Sequence, residues 1–133
     1  MTTRQAACSC GQLRLTCAGE PVRISICHCL ECQLRTGNVF GTQARFPRAQ
    51  VTAIEGHATP YVRRGDSGEP LTFHFCPQCG ATVYWVLAGA PELVVVAVGA
   101  FADPGFPAPR HSVYERRRHA WVGVPASVVE QLE

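Results

Sequence analysis

The sequence predicts a mainly β, single-domain fold of antiparallel sheets with two short helical pieces. Three observations carry that expectation. Apolar and polar residues alternate with period two along much of the chain. Twelve glycines and ten prolines punctuate it at short intervals. No stretch combines the length and 3.6-residue periodicity of a long amphipathic helix. At 133 residues two independent cores would each be smaller than most self-sufficient domains, so the expected unit is one domain, 1–133.

Taken in order, Leu13, Leu15 and Cys17 alternate with Arg14 and Thr16, and Val22, Ile24 and Ile26 alternate with Arg23 and Ser25. Both segments read as half-buried strands. Leu30 to Thr36 reads as a short helix stopped by Gly37. The runs 39–46, 51–55, 59–63, 71–75, 81–87 and 93–101 are rich in Val, Thr, Phe and Tyr and end near Gly or Pro, as strands do. Gly65 to Glu69 reads as a hairpin tip and Gly105 to Pro109 as a rigid loop. Arg116 to Arg118 reads as an edge strand with alternating outward charges. Pro125 to Leu132, with Val128 and Leu132 on one face, reads as the second helical piece.

Composition narrows the function. With 47% apolar and 17% charged residues the chain has the make-up of an ordinary packed protein. Its longest apolar stretch, Val86 to Phe101, is broken by Pro91 and Glu92 and is shorter than the roughly 20 residues of a membrane helix. The first eleven residues hold one arginine and no apolar run, so no secretory signal is expected and the reading is cytoplasmic. Every basic residue is an arginine and the net charge is only +2. The pI of 8.2 is below the value above about 9 that marks nucleic-acid binders. Eight cysteines, about 6% of the chain, are fewer than the roughly 8–10% of a disulfide scaffold. In a reducing compartment, clustered cysteines point to metal or redox chemistry.

Seven of the eight cysteines fall into three knots: Cys8-x-Cys10, Cys27-x-Cys29-x-x-Cys32 and Cys76-x-x-Cys79. Zinc favours tetrahedral thiolate sites whose ligands arrive in closely spaced pairs, because a tight knuckle aims two sulfurs at one ion about 2.3 Å away. Gly11 and Gly80 follow two of the knots, where the backbone must turn sharply. Seven ligands divide into four plus three. A four-cysteine site is complete and structural, whereas a three-cysteine site leaves a position for water or substrate. Spacing does not say which knots share an ion; a plain zinc ribbon of Cys29, Cys32, Cys76 and Cys79 is the alternative.

The wider pattern runs Cys8-Ser9-Cys10-Gly11, Cys27-His28-Cys29-Leu30-Glu31-Cys32 with Gly37, Phe75-Cys76-Pro77-Gln78-Cys79-Gly80, Gly99 with Asp103-Pro104, Pro109-Arg110-His111 and Arg118-His119-Ala120-Trp121. It resembles the glutathione-dependent formaldehyde-activating enzymes and their centromere protein V relatives. It departs from the family at Gln33, often basic there, and at Ala102, one of two acidic positions. The resemblance implies a β-tent and two zinc ions per chain. Cys8, Cys10, Cys76 and Cys79 would hold a structural ion; Cys27, Cys29 and Cys32 would hold a catalytic one. It implies a carbon-sulfur lyase or synthase joining a glutathione-like thiol to a small aldehyde, formaldehyde in the namesake reaction. The partners expected are therefore small molecules, with no nucleic acid and no membrane.

Other residues are read more plainly. His28, between two ligands in an extended segment, should face away from Cys27 and Cys29 and support them. His57, His74, His111 and His119 lack ligand spacing and read as structural; Cys17 reads as a small buried hydrophobe, and Trp85 and Trp121 as core. Arg35, just beyond the three-cysteine knot, is the candidate for a substrate carboxylate, which a guanidinium fork suits. Two other classes compete with the enzyme: a non-catalytic zinc-binding interaction module using Arg116 to Arg118 as its surface, and a thiol-redox protein using Cys29 and Cys32. The redox motif usually accompanies a βαβ pattern, which is absent.

Overall fold

A computed structural model describes all 133 residues. The fold is mainly β, built as two sheets. The small sheet, in the order β1-β2-β5, is antiparallel and comprises β1 (Thr3–Ala7), β2 (Arg14–Ala18) and β5 (Val51–Glu55). The large sheet comprises β3 (Arg23–Cys27), β4 (Gly41–Pro47), β6 (Thr59–Arg64), β7 (Pro70–Phe75), β8 (Thr82–Leu87), β9 (Ala90–Ala97), β10 (His111–Val113) and β11 (Glu130–Gln131). Its order is β11-β10-β3-β4-β9-β8-β7-β6. It is antiparallel from β3 to β6 and parallel on both sides of β10. The single α-helix, α1 (Leu30–Thr36), is capped by Cys29 and closed by Gly37 in the left-handed conformation.

Alternation along the strands gives the large sheet two different faces. On one, Ala44, Phe46, Tyr84, Val94 and Val96 meet Ala6, Leu13, Leu15 and Cys17 in the main core. Each fully buried Phe, Leu or Val there contributes about 1.5–3 kcal/mol. On the other, Phe73, Trp85 and Val95 stand in cross-strand register, flanked by Leu71, Leu87 and Ala97. All six belong to the large sheet, so what covers this smaller cluster is not a second sheet. That second face carries the site.

Four expectations are corrected. The segment from Pro125 to Leu132 is not a helix: Val129 and Glu130 N–H donate to Arg110 O, Leu132 N–H donates to Ser112 O, and Glu130–Gln131 joins β10. A segment of eight residues has little helical stability of its own, so sheet pairing takes its backbone groups. Arg116 to Arg118 is not an edge strand, because the chain leaves β10 through Tyr114 in the left-handed region and winds a 3-10 turn over Glu115–Arg117. Trp121 is 74% exposed, whereas Trp85 is buried. The run 93–101 also divides, its strand ending at Ala97 and a 3-10 turn folding Phe101 into the core. Cys17 is fully buried, as its alternation required.

Candidate functional site

Two loops from different sheets bring four cysteines together. The loop between β1 and β2 carries Cys8 and Cys10; that between β7 and β8 carries Cys76 and Cys79. They fold alike. Cys8 N–H donates to Leu13 O and Gly11 N–H to Cys8 O, while Cys76 N–H donates to Ala81 O and Gly80 N–H to Cys76 O. Gly11 (φ 82°) and Gly80 (φ 80°) supply the left-handed step that closes each knuckle. The turns aim amides at sulfur: Leu13 N–H at Cys8 Sγ and Gln78 N–H at Cys76 Sγ, both 3.3 Å. Gln12 Nε2 adds a donor to Cys76 Sγ at 2.9 Å. Although burial pushes the Cys76 thiol up, these donors bring it down to about 6.

The four sulfurs lie within 4.8 Å of one another, with Cys8 to Cys10 and Cys10 to Cys76 both at 3.6 Å. An ion about 2.3 Å from each corner of a thiolate tetrahedron needs sulfurs about 3.8 Å apart. The donor set therefore fits such an ion.

The second cluster is local in sequence. Cys27 ends β3, Cys29 is the N-cap of α1 and Cys32 lies in its first turn, with the Cys32 N–H donating to Cys29 Sγ at 3.3 Å. The three sulfurs again lie within 4.8 Å of one another, and no fourth His, Cys, Asp or Glu joins them. Thiol hydrogen bonds from Cys27, then from Cys32, hold Cys29 well below the usual thiol range, and the same interaction pushes Cys27 up.

Behind this cluster runs a buried polar chain. His28 points away from the cysteines and is fully buried, its Nε2 2.9 Å from Ser112 Oγ. Ser112 Oγ donates to Glu115, whose other oxygen accepts from Arg118 Nε at 2.9 Å. With the serine hydroxyl committed to Glu115, His28 Nε2 is the donor to Ser112. Burial, more than the Arg118 charge, keeps His28 below the ordinary imidazole pKa. Gln33 ties the layers: its amide donates to His28 O (3.0 Å) and Arg117 O (3.3 Å), and its oxygen meets His119 Nε2 at 3.0 Å.

A cavity of about 340 Å³ opens over the second face of the large sheet, within the size range of small-molecule sites. Cys27, Cys29 and Cys32 form one end of it, and the four-cysteine cluster is not part of its wall. Phe73, Trp85 and Val95 make the floor. The Arg35 guanidinium lies 4.5 Å from the Trp85 ring centroid, and that of Arg63 lies 5.1 Å from Phe73, so cations roof the apolar cluster. Tyr114, Arg116 and Arg117 form the rim with Asp66, which accepts the Tyr114 hydroxyl. Arg35 lines the same cavity as the three cysteines. Arg45, Arg63 and Tyr114 were missed, and the only hint was an arginine at a mid-strand position; Arg116 and Arg117 were read as part of an edge strand or of an interaction surface and instead line this cavity.

A family model described as glutathione-dependent formaldehyde-activating enzyme matches residues 3–117. The crystal structure of a Rhodobacter sphaeroides protein aligns with a TM-score of 0.56 at 18% identity, covering 77% of this chain and 90% of that one. That likeness concerns the fold alone. No curated protein matches the sequence.

Proposed function

The chain belongs to the glutathione-dependent formaldehyde-activating enzyme family, and from that premise we propose that it joins a glutathione-like thiol to a small aldehyde and reverses the same step. The observation that carries this reading is the asymmetry of the clusters: three cysteines face a cavity and the four do not. Cys8, Cys10, Cys76 and Cys79 are assigned a structural zinc, and Cys27, Cys29 and Cys32 a catalytic one. Cys27, Cys29 and Cys32 would hold the ion, which would supply a Lewis acid that favours the thiolate form of a substrate thiol at the open end of the cluster.

In the forward direction the S–H bond is exchanged for an S–C bond to the carbonyl carbon, and the hydrogen ends on the carbonyl oxygen. Ionisation alone accelerates little. A free thiol of pKa about 8.5 is already a few per cent thiolate near neutrality, so complete ionisation gains about 30-fold at most. Most of the rate must come from holding the two reactants together. The cavity supplies the place for that: an apolar floor, the Arg35 and Arg63 guanidinium groups above it, and the cysteines at one end. A module using its metals for folding alone has no use for such a cavity.

Isothermal titration of zinc-loaded protein with glutathione and with S-methylglutathione tests the reading. Glutathione should bind at least about tenfold more tightly, since a thioether is a poor ligand. Equal affinities would remove thiol coordination from the mechanism.

A further inference from the structure

The charge of the cavity is not balanced within the protein. Arg35, Arg45, Arg63, Arg116 and Arg117 line it. None pairs with a carboxylate: the ion pairs of the chain join Arg4 to Glu20, Arg14 to Glu55, Arg118 to Glu115 and two histidines to glutamates. Of the two acidic residues in the lining, Asp66 is engaged by Tyr114 and Glu31 is exposed in the first turn of α1.

Arg45 is the most demanding of the five. Arg35 and Arg63 have aromatic faces to stack on, and Arg116 and Arg117 are exposed to water at the rim. Arg45 instead lies in the interior strand β4, opposite Val95 on one side and the like-charged Arg23 on the other. The Nε groups of Arg23, Arg35 and Arg45 are all buried without a hydrogen-bond partner, and of the three only Arg35 has an aromatic face to stack on. Burial, then the Arg23 charge, pushes Arg45 below the ordinary guanidinium pKa. A desolvated cation beside another cation destabilises the free protein, and an incoming anion reverses both penalties.

Position adds a ruler. Cys27 pairs with Gly41 on β4, four residues before Arg45, so the sulfur end and Arg45 are about 13 Å apart by strand rise. Resting on the thiol reading above, we propose that Arg45, backed by Arg23, is the recognition end for a carboxylate carried at the far end of the thiol substrate. The site therefore selects for length as well as charge, and short uncharged thiols engage only the cysteine end.

The test uses full-length, zinc-loaded protein and Arg45→Met, which keeps the stem and removes the fork, with folding checked by circular dichroism. Glutathione affinity by isothermal titration should fall about tenfold to a hundredfold, the range of one charge-assisted hydrogen bond. Binding of 2-mercaptoethanol should change by less than about twofold. Free R45M should melt no lower than the parent, because an unpaired cation has been removed. If R45M does not fold, R45K carries the same test: it retains charge without the fork and should weaken glutathione several-fold. Equal weakening of both thiols, or undiminished glutathione binding, overturns the proposal. The two readings fail separately. If the parent binds glutathione and S-methylglutathione alike while R45M weakens both, thiol coordination is wrong and the carboxylate site stands; if the thiol preference persists with full glutathione affinity in R45M, the reverse holds.

Discussion

Removing one cysteine from each cluster should have very different consequences for folding. The four-cysteine cluster links the small sheet to the large one: Cys10 and Cys76 are 66 residues apart, and Cys8 and Cys76 are themselves part of the main core. The three-cysteine cluster closes only the short loop from the end of β3 into α1. Loop-closure entropy grows as 1.5RT ln n, so a cross-link over 66 residues constrains the unfolded chain by about 2 kcal/mol more than one over five. The metal itself matters more. A structural zinc site is worth about 10–16 kcal/mol, the same scale as the roughly 5–15 kcal/mol net stability of a domain. Cys76→Ser should therefore give insoluble or unfolded protein that holds no metal at that site. Cys27→Ser should fold, because β3 remains paired with β4 and β10 and α1 keeps both caps; its midpoint should drop by no more than about 5–10 °C. Soluble yield, zinc per chain and thermal melting by circular dichroism measure the contrast. Soluble variants of similar melting temperature, each retaining two zincs, would refute the assignment of roles.

Two further outcomes follow from local geometry. A Cβ on Gly56, where φ is 92°, would lie 2.0 Å from Gln12 O, whereas one on Gly11 meets nothing within 4 Å. Gly11→Ala should cost only the left-handed strain of about 1–2 kcal/mol. Gly56→Ala should cost more, since it also displaces the Gln12 amide from Cys76 and His57; urea melts of the two variants reporting the opposite order would contradict this. Under mild peroxide the open cluster should oxidise first and lose its metal, forming a Cys29–Cys32 disulfide. Cys29 is the least buried of its three sulfurs and flanks a helical turn with Cys32. Peptide mapping by mass spectrometry locates the linkage, and a Cys76–Cys79 disulfide formed while the central cluster keeps zinc would reverse the open and closed assignments.

What the sequence disclosed follows from how each kind of information is written into it. Strands such as 13–17 and 22–26 were legible because period-two alternation is local, 71–75 and 81–87 because β-branched and aromatic residues gather there between Gly and Pro, and α1 because Cys29 to Gly37 carries both its caps. The cysteine knots were legible because a knuckle demands close spacing, although spacing left their pairing open; the family resemblance implied the grouping, and the fold brings the 8–10 loop against the 76–79 loop across two sheets. The C-terminal strand was misread because β11 has two residues and exists only through its pairing with β10. Trp121 was misread because a large aromatic is apolar wherever it stands. The arginine cavity was the least legible feature, for a physical reason. Arg35, Arg45, Arg63 and Arg116 come from a helix, two strands and a 3-10 turn, and nothing in their spacing betrays that they converge. An anion site assembled from long, flexible side chains needs only that each reach a common point, so it imposes no periodicity on the chain. Sulfurs that must meet around one point are held to a few ångströms and leave a motif; the diffuse cationic wall of the cavity constrains only the sum of charge, and becomes visible when the sheet has placed Arg23 next to Arg45 with no acid opposite.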